Sequence, residues 1–312
     1  MALYFNTNLS SLYARRAVDN ATKDVDKSFQ NLSSGLKINT AKDDPAGVQT
    51  SDRLTVQLNS LKQTNRNAQN AISYAQTAEG ALDEVTTMLQ RIRTLAIQSA
   101  NGTNGSDGRK SLQDEVDQLN QEIVRIARDT SFGGQDLLSG NASVARFQIS
   151  PDPGSLIKID LSTGFDTDSL AKLAAKVAGS ETFDLPQGAT ASIAQTYRFD
   201  DIFKYSINGN GIDIRTASSA QVVLSGIDYL ITAIDAKRGE LGAIQNRLES
   251  TIRNQDNIYE NVSDSRSQIR DADYAEEVSR MTSSQIIQQS AVTILTQANS
   301  KPQIALQMLQ ET

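Results

Sequence analysis

Three pairs of carboxylates stand close together in the chain: Asp43 with Asp44, Asp271 with Asp273, and Glu276 with Glu277. Neighbouring carboxylates can divide acid and base work, because each makes the other harder to ionise. Every one of these pairs also lies near the start of a helical stretch, where acidic groups favour the positive end of the helix dipole, so the spacing assigns them to helix starts. Asp166 and Asp168 open like a calcium loop, but Leu170 takes the next ligand position and no glycine follows, which reads as a solvated turn. Gly209 and Gly211 lack the third glycine and the βαβ setting of a nucleotide loop. The chain has no His and no Cys, so it offers no imidazole base, thiolate nucleophile, disulfide or soft metal site. No catalytic, cofactor-binding or metal residue is assigned, and the expectation is that the protein is not an enzyme.

The elements that would hold such groups have an unusual charge pattern. Charged residues make up 21% of the chain, yet Met281 to Ser300 and Met1 to Ala14 carry none. A bilayer would fit the 20-residue length of the first stretch. Twelve of its residues are Gln, Ser, Thr or Asn, and desolvating them in lipid is too costly for a spanning helix. Its apolar residues fall in two rows at helical spacing, Val278, Met281, Val292 and Leu295 in one and Ile287, Ala291, Ile294 and Ala298 in the other. One row suits the chain's own N-terminus and the other a neighbouring copy; a helix docked on a single globular core is the plainer alternative. The net charge of -7 and the lack of a dense Lys/Arg run argue against nucleic acid as the main partner. The N-terminus lacks the basic and apolar regions of a cleaved signal, so export would need another route.

The order of elements is nested. Leu9, Leu12, Tyr13, Ala17, Val25, Phe29 and Leu32 predict a helix over about 10–33, stopped by Gly35. Asp44 is the expected N-cap of a second helix with Pro45 at its first position. This helix runs to about Ala100, roughly 80 Å at 1.5 Å per residue. Its seam passes Leu54, Leu58, Leu61, Asn65, Ala68, Ile72 and Ala75, shifts phase at Ala78, and resumes through Leu82, Val85, Leu89, Ile92 and Ala96, a coiled-coil pattern with one discontinuity. Asn101 to Gly108 is a turn, and Leu112, Val116, Leu119, Ile123 and Ile126 mark a helix folding back. From 141 to 219 the period changes. Phe147–Ser150 and Leu156–Leu161 flank Pro151 to Gly154 as a hairpin, Ser169–Ala178 is a short helix, and Tyr205–Asn208 with Ile212–Arg215 flank a second Asn-Gly turn. Helical spacing returns from Val223 through Ile269, and Pro302 is expected to loosen the last ten residues. The fold class is therefore mainly α: an elongated antiparallel coiled-coil or helical bundle with paired terminal helices and a small β-rich insert.

The segments LSSGLKINTAKDDPAG (Leu32 to Gly47), LQRIRTLAIQSANGTN (Leu89 to Asn104) and SQIIQQSAVTILTQANSKPQIAL (Ser284 to Leu306), with NTNLSSL (Asn6 to Leu12), closely resemble bacterial flagellin. The likeness covers both ends and leaves the centre largely unexplained. It implies a filament subunit exported unfolded by a flagellar type III channel and added beneath a cap, with an export chaperone and hook-filament junction proteins as partners. It also implies a secreted, extracellular location. The implied domains are 1–42 with 271–312 as a terminal coiled coil lining an inner tube, 43–140 with 220–270 as a helical bundle, and 141–219 as a hairpin insert without a large outer domain, giving a thin and comparatively smooth filament. Candidate polymerisation residues are Leu9, Leu12, Val278, Met281, Ile287, Ile294 and Leu295. Some family members are recognised by Toll-like receptor 5, and the matching positions here are Arg91, Leu95 and Glu115; packing and surface charge are their plainer roles. Tyr4 and Phe5 depart from the usual aliphatic start, and Gln310 to Thr312 extend past the usual end. Zinc-protease members need two histidines in a HExxH motif, which this chain lacks. The nearest rival is the hook-filament junction protein; a secreted adhesin or translocator would not need matched, uncharged termini.

Overall fold

The structure, a computed structural model, describes residues 7–140, 144–165, 169 and 212–310, with 301–310 described by backbone alone. The chain divides into two compact units, Met1–Asn59 with Asn257–Thr312 and Ser60–Asp256. The breaks at 42 and 271 expected for a terminal domain fall inside the first unit. Two of the helices run through both units, α2 (Pro45–Ala100) and α4 (Ala217–Arg270).

In the first unit, α1 (Leu9–Ser34) begins where the Asn8 side chain accepts from the Ser11 N–H at 3.2 Å, and ends at Gly35 with φ +69°, a left-handed cap open to glycine. Helix α2 opens as the sequence predicts: the Asp44 carboxylate accepts from the Ala46 N–H at 3.0 Å and Pro45 is the first helical residue. The connector between α1 and α2 is fixed by Asp43, whose Oδ2 accepts from the N–H groups of Asn39 and Thr40 and from the Thr40 hydroxyl at 3.0 to 3.3 Å. Lys27 stands 3.2 Å from its other oxygen. These donors, the Thr40 backbone foremost and then Lys27, hold the Asp43 carboxyl down at about 2. At Gly47 a Cβ would collide with the Asp44 carboxylate and the Ile38 side chain, so the closeness of this turn requires glycine. Leu36 pairs with Asp271 in an antiparallel bridge, flanked by Lys37 N–H to Arg270 O at 2.7 Å and Ala272 N–H to Gly35 O at 3.0 Å. The backbone between α4 and α5 (Tyr274–Gln310) is thereby stitched to the backbone between α1 and α2. Helix α5 continues past Pro302 instead of loosening there. The proline costs about 3 kcal/mol in a helix interior, and the strong helix formers Ala305, Leu306, Gln307, Met308 and Leu309 follow it.

In the second unit, α3 (Ser106–Asp129) folds back from α2, and both bury one stripe against the first half of α4. Leu82, Val85, Leu89 and Ile92 from α2, Val116 and Ile123 from α3, and Val223, Ile227, Leu230 and Ile234 from α4 are fully or almost fully buried, the 3,4 rows that the sequence marks out. The burial corrects one position of the α2 seam. Thr64, not Asn65, is buried, and its hydroxyl meets Gln255 Oε1 at 3.2 Å, while Asn65 donates to Asp256 at 2.6 Å. The first half of α4 is long and apolar enough to cross a membrane, and its Val223, Ile227, Leu230 and Ile234 are packed in this core.

Two hairpins cover the core. Strands β1 (Ser131–Phe132) and β2 (Gln135–Asp136) are joined by Gly133 and Gly134 at φ +60° and +81°. Positive φ at both positions is the turn that matches strand twist, and glycine adopts it at little cost; the helical spacing up to Ile126 gives no sign of this hairpin. The hairpin expected from Phe147–Ser150 and Leu156–Leu161 is present as β3 (Ala145–Gln148) and β4 (Leu156–Ile159), pairing Phe147 with Ile157, two residues earlier than expected at its start. Tyr74 of α2 meets Phe132 and Phe147 edge-on at ring centroid distances of 5.8 and 5.4 Å, so one tyrosine holds both hairpins on the bundle. Asn67 donates to Gln148 O at 3.0 Å and Gln255 donates to Ile149 O, capping the carbonyls at the end of β3. The helix expected at Ser169–Ala178, apart from Ser169 itself, lies outside the described residues, as do Tyr205–Asn208 and the pair Asp166 and Asp168.

Replacing Leu89 by Ala is expected to cost the bundle about 2 to 5 kcal/mol, read as a lowered urea midpoint by circular dichroism. Because the Asp43 pKa is depressed, its contribution is present above the unfolded carboxylate value of about 3.9 and is lost as the pH falls toward 2. Protection of the Asn39 and Thr40 amides against exchange, relative to an unstructured peptide at the same pH, should fall over that window in the wild type, whereas in Asp43→Ala it should be low at every pH.

Candidate functional site

The feature that sets this chain apart from a self-sufficient bundle is the pairing of α1 with α5. Buried α1 positions are Ala14, Ala21 and Ser28, seven apart, followed by Asn31; buried α5 positions are Glu277, Ser284, Ala291 and Ala298, again seven apart. A strict seven-residue repeat keeps one seam facing a partner helix, and small residues in it let two helices lie close. Polar contacts fix the antiparallel register along its length. Asn8 donates to Ala298 O at 2.8 Å, the Ser11 hydroxyl to Asn299 at 2.7 Å, Gln288 to the Thr22 hydroxyl at 2.8 Å, and the Tyr274 hydroxyl to Leu32 O at 2.9 Å. Near the inner end, buried Asn31 donates to Glu277 at 3.3 Å and accepts from Asn39 at 2.9 Å, and Arg280 approaches Glu277 at 3.9 Å.

The large apolar side chains lie elsewhere. Leu12 is 54% exposed, Ile287 55% and Ile294 60%. Leu9, Tyr13, Phe29, Val278, Ile286 and Val292 are exposed as well, whereas Met281 and Leu295 are half-buried at the edge of the seam. At 100° per residue, Ile287 and Ile294 flank the α5 seam on one side and Val278 and Val292 on the other. Leu9, Leu12 and Tyr13, three and four apart, share the α1 face turned away from it. The two rows expected on α5 therefore do not divide as expected. Each row gives some residues to the seam, Met281 and Leu295 from one, Ala291 and Ala298 from the other, and leaves the rest outside.

The magnitudes show what this arrangement lacks. Burying a methyl group gains about 0.8 kcal/mol, so the alanines of the seam contribute only a few kcal/mol. Ordering each residue of the two helices costs about 1 to 2 kcal/mol of backbone entropy. Helices stable within one chain place leucine and isoleucine inside; this pair leaves Leu9, Leu12, Ile286, Ile287 and Ile294 exposed.

The innate-receptor candidates lie in the second unit. Arg91 and Glu115 face each other from α2 and α3 as a partly exposed ion pair, 2.6 Å apart at Nη2 and Oε1. Leu95, one turn along α2 from Arg91, is 1% exposed and belongs to the core. Surface pairs of this kind contribute roughly 0 to 1 kcal/mol. Among the described residues no group of three or more acidic side chains is placed to hold a metal ion.

Comparison with known proteins agrees with this geometry. The chain matches the bacterial flagellin N-terminal helical region over residues 5–143 and the C-terminal helical region over residues 224–309. It is 36% identical to flagellin B of Vibrio cholerae and 37% identical to polar flagellin A of Vibrio parahaemolyticus, each over 375 aligned residues covering 99% of this chain and all of the relative. A flagellar hook-associated protein of Vibrio parahaemolyticus has the same fold, with a TM-score of 0.53 and 16% identity over 73% of this chain and all of that one. The Bacillus cereus flagellin structure aligns with a TM-score of 0.44 at 27% identity, over 61% of this chain and 88% of that one. The matched family is one of structural subunits, not enzymes. The chain belongs to the bacterial flagellin family, whose members polymerise into the flagellar filament outside the cell.

Enlarging a seam residue tests whether closeness of the pair matters. Ala291→Leu should force the helices apart at a cost of about 1 to 3 kcal/mol, seen as a lowered depolymerisation temperature of filaments with an unchanged urea midpoint for the bundle.

Proposed function

We propose that this flagellin is exported unfolded by the flagellar type III system and completes its fold only on joining the filament, through the apolar faces of α1 and α5. The observation that carries the reading is the inversion in the terminal pair: alanine and serine inside, leucine and isoleucine outside. Alone, such a pair is marginal, since most of a helix's stability in a protein comes from packing its apolar face, and here that face is left uncovered. Against neighbouring copies, Leu9, Leu12, Val278, Ile287 and Ile294 gain cover, and Met281 and Leu295 at the seam edge complete it. Folding then coincides with incorporation, beneath the cap at the growing tip, and an export chaperone would cover the same faces beforehand. In this arrangement residues 1–42 and 271–312 form the inner layer and the bundle the outer one. Toll-like receptor 5, where it recognises this chain, would meet Arg91 and Glu115 at the surface, with Leu95 acting from the core by setting the spacing of α2 against α3.

The test is electron microscopy of purified chains added to filament seeds. The full chain should extend the seeds, while a truncation ending at Arg280 and the variants Leu12→Asp and Ile287→Asp should not, with their bundles still folded by circular dichroism. Normal filaments from the charged variants would sink the reading. Failure of the full chain itself, under conditions that polymerise a known flagellin, would favour a hook-filament junction role instead.

A further inference from the structure

The turn between α2 and α3 contains two Asn-Gly steps, Asn101-Gly102 and Asn104-Gly105, three residues apart. Asn-Gly is the dipeptide most open to intramolecular deamidation, because glycine leaves its own amide nitrogen unobstructed. The two steps are chemically identical and differ in how the fold holds them. Asn101 follows the last residue of α2 and is exposed. Its Oδ1 accepts from the Thr103 N–H at 3.3 Å, which folds the side-chain carbonyl back over the following backbone and polarises it. Neither its Nδ2 nor the Gly102 N–H has an acceptor among the described residues. Asn104 is half-buried, and its Nδ2 donates to Gln98 O at 2.6 Å, a strong tether on the group that would have to leave. The Gly105 that follows it is the N-cap of α3, its carbonyl already accepting from the Arg109 N–H at 3.1 Å.

We propose that Asn101 is a spontaneous modification site, converting to aspartate and isoaspartate, and that Asn104 is protected by the fold. The Gly102 amide loses its proton to solvent base, and its nitrogen attacks Asn101 Cγ. The Cγ–Nδ2 bond breaks and Nδ2 leaves as ammonia with a proton from water, closing a succinimide ring. Water then opens either ring carbonyl, giving aspartate at one and isoaspartate at the other. The balance is water in and ammonia out, with no oxidant or other reactant. The product places a carboxylate at the C-terminal end of α2, where the helix dipole disfavours it. It stands beside Arg109, whose guanidinium already donates to Ser99 O at 2.9 Å and Asn101 O at 3.4 Å. The isoaspartate form also lengthens the turn by one backbone carbon.

The full chain is incubated in mildly alkaline buffer, folded and in urea, and the tryptic peptide 94–109 is sequenced by electron-transfer fragmentation, which separates aspartate from isoaspartate. In the folded chain Asn101 should convert severalfold faster than Asn104, and in urea the two rates should converge. Gly102→Ala meets no atom within 4 Å, so this variant should fold, and it should slow conversion at Asn101 severalfold while leaving Asn104 unchanged. Equal rates in the folded chain, a faster Asn104, or no conversion at Asn101 would each overturn the proposal.

Discussion

Between α1 and α5, alanine, serine and asparagine occupy the space that leucine and isoleucine fill in a self-contained bundle. The close approach this permits brings backbone and polar side chains within hydrogen-bond reach along the whole length of the pair. Register is therefore set by directional contacts such as Asn8 to Ala298 and Asn31 to Glu277, which discriminate between alignments more sharply than apolar area does. The same choice leaves the large apolar side chains free to face outward. Close pairing and an outward apolar surface are two consequences of one distribution of side-chain volume.

The second unit follows the opposite rule. Its seam buries large aliphatic residues in 3,4 rows, the exposed pair Arg93 with Asp228 and the pair of half-buried Arg238 with Asp83 tie α2 to α4 at 2.7 and 2.9 Å, and two hairpins close over its core through Tyr74. Burial here comes from the chain itself. The chain thus carries both kinds of packing, large side chains inside the second unit and small ones inside the α1–α5 pair.

The helices were legible because their signals are long: the rows from Leu58 to Ala96 and from Val223 to Leu248 repeat often enough to fix phase. So were the caps at Gly35 and Asp44, where the residue type has a direct geometric reason. What escaped the sequence reading was decided by neighbours. Thr64 and Asn65 are adjacent polar residues, and only the presence of Gln255 selects the threonine for the interior. The hairpin around Gly133-Gly134 is not legible because strands of two residues carry no period of their own. The rows on α5 were correctly seen as apolar and wrongly sorted, because Ala291 and Ile287 read alike as apolar while the seam selects by volume. Leu95, which the resemblance places beside Arg91, lies in the core, the packing role its place in the α2 seam also suggests.

Gln113 of α3 carries a consequence for the middle of the chain. Its side chain, buried in the bundle, donates to Ile212 O at 2.8 Å and accepts from the Ile214 N–H at 2.7 Å, doing for the returning segment what a neighbouring strand would do. Ser99 donates to Ile214 O beside it. At the point of departure, Phe165 is buried and its N–H is held by Leu138 O at 2.9 Å. Both ends of the intervening chain are thus fastened by residues outside it. A change confined to the residues between Phe165 and Ile212 leaves each of these hydrogen bonds with both of its partners, so the bundle holds its exit and re-entry points by its own side chains and backbone.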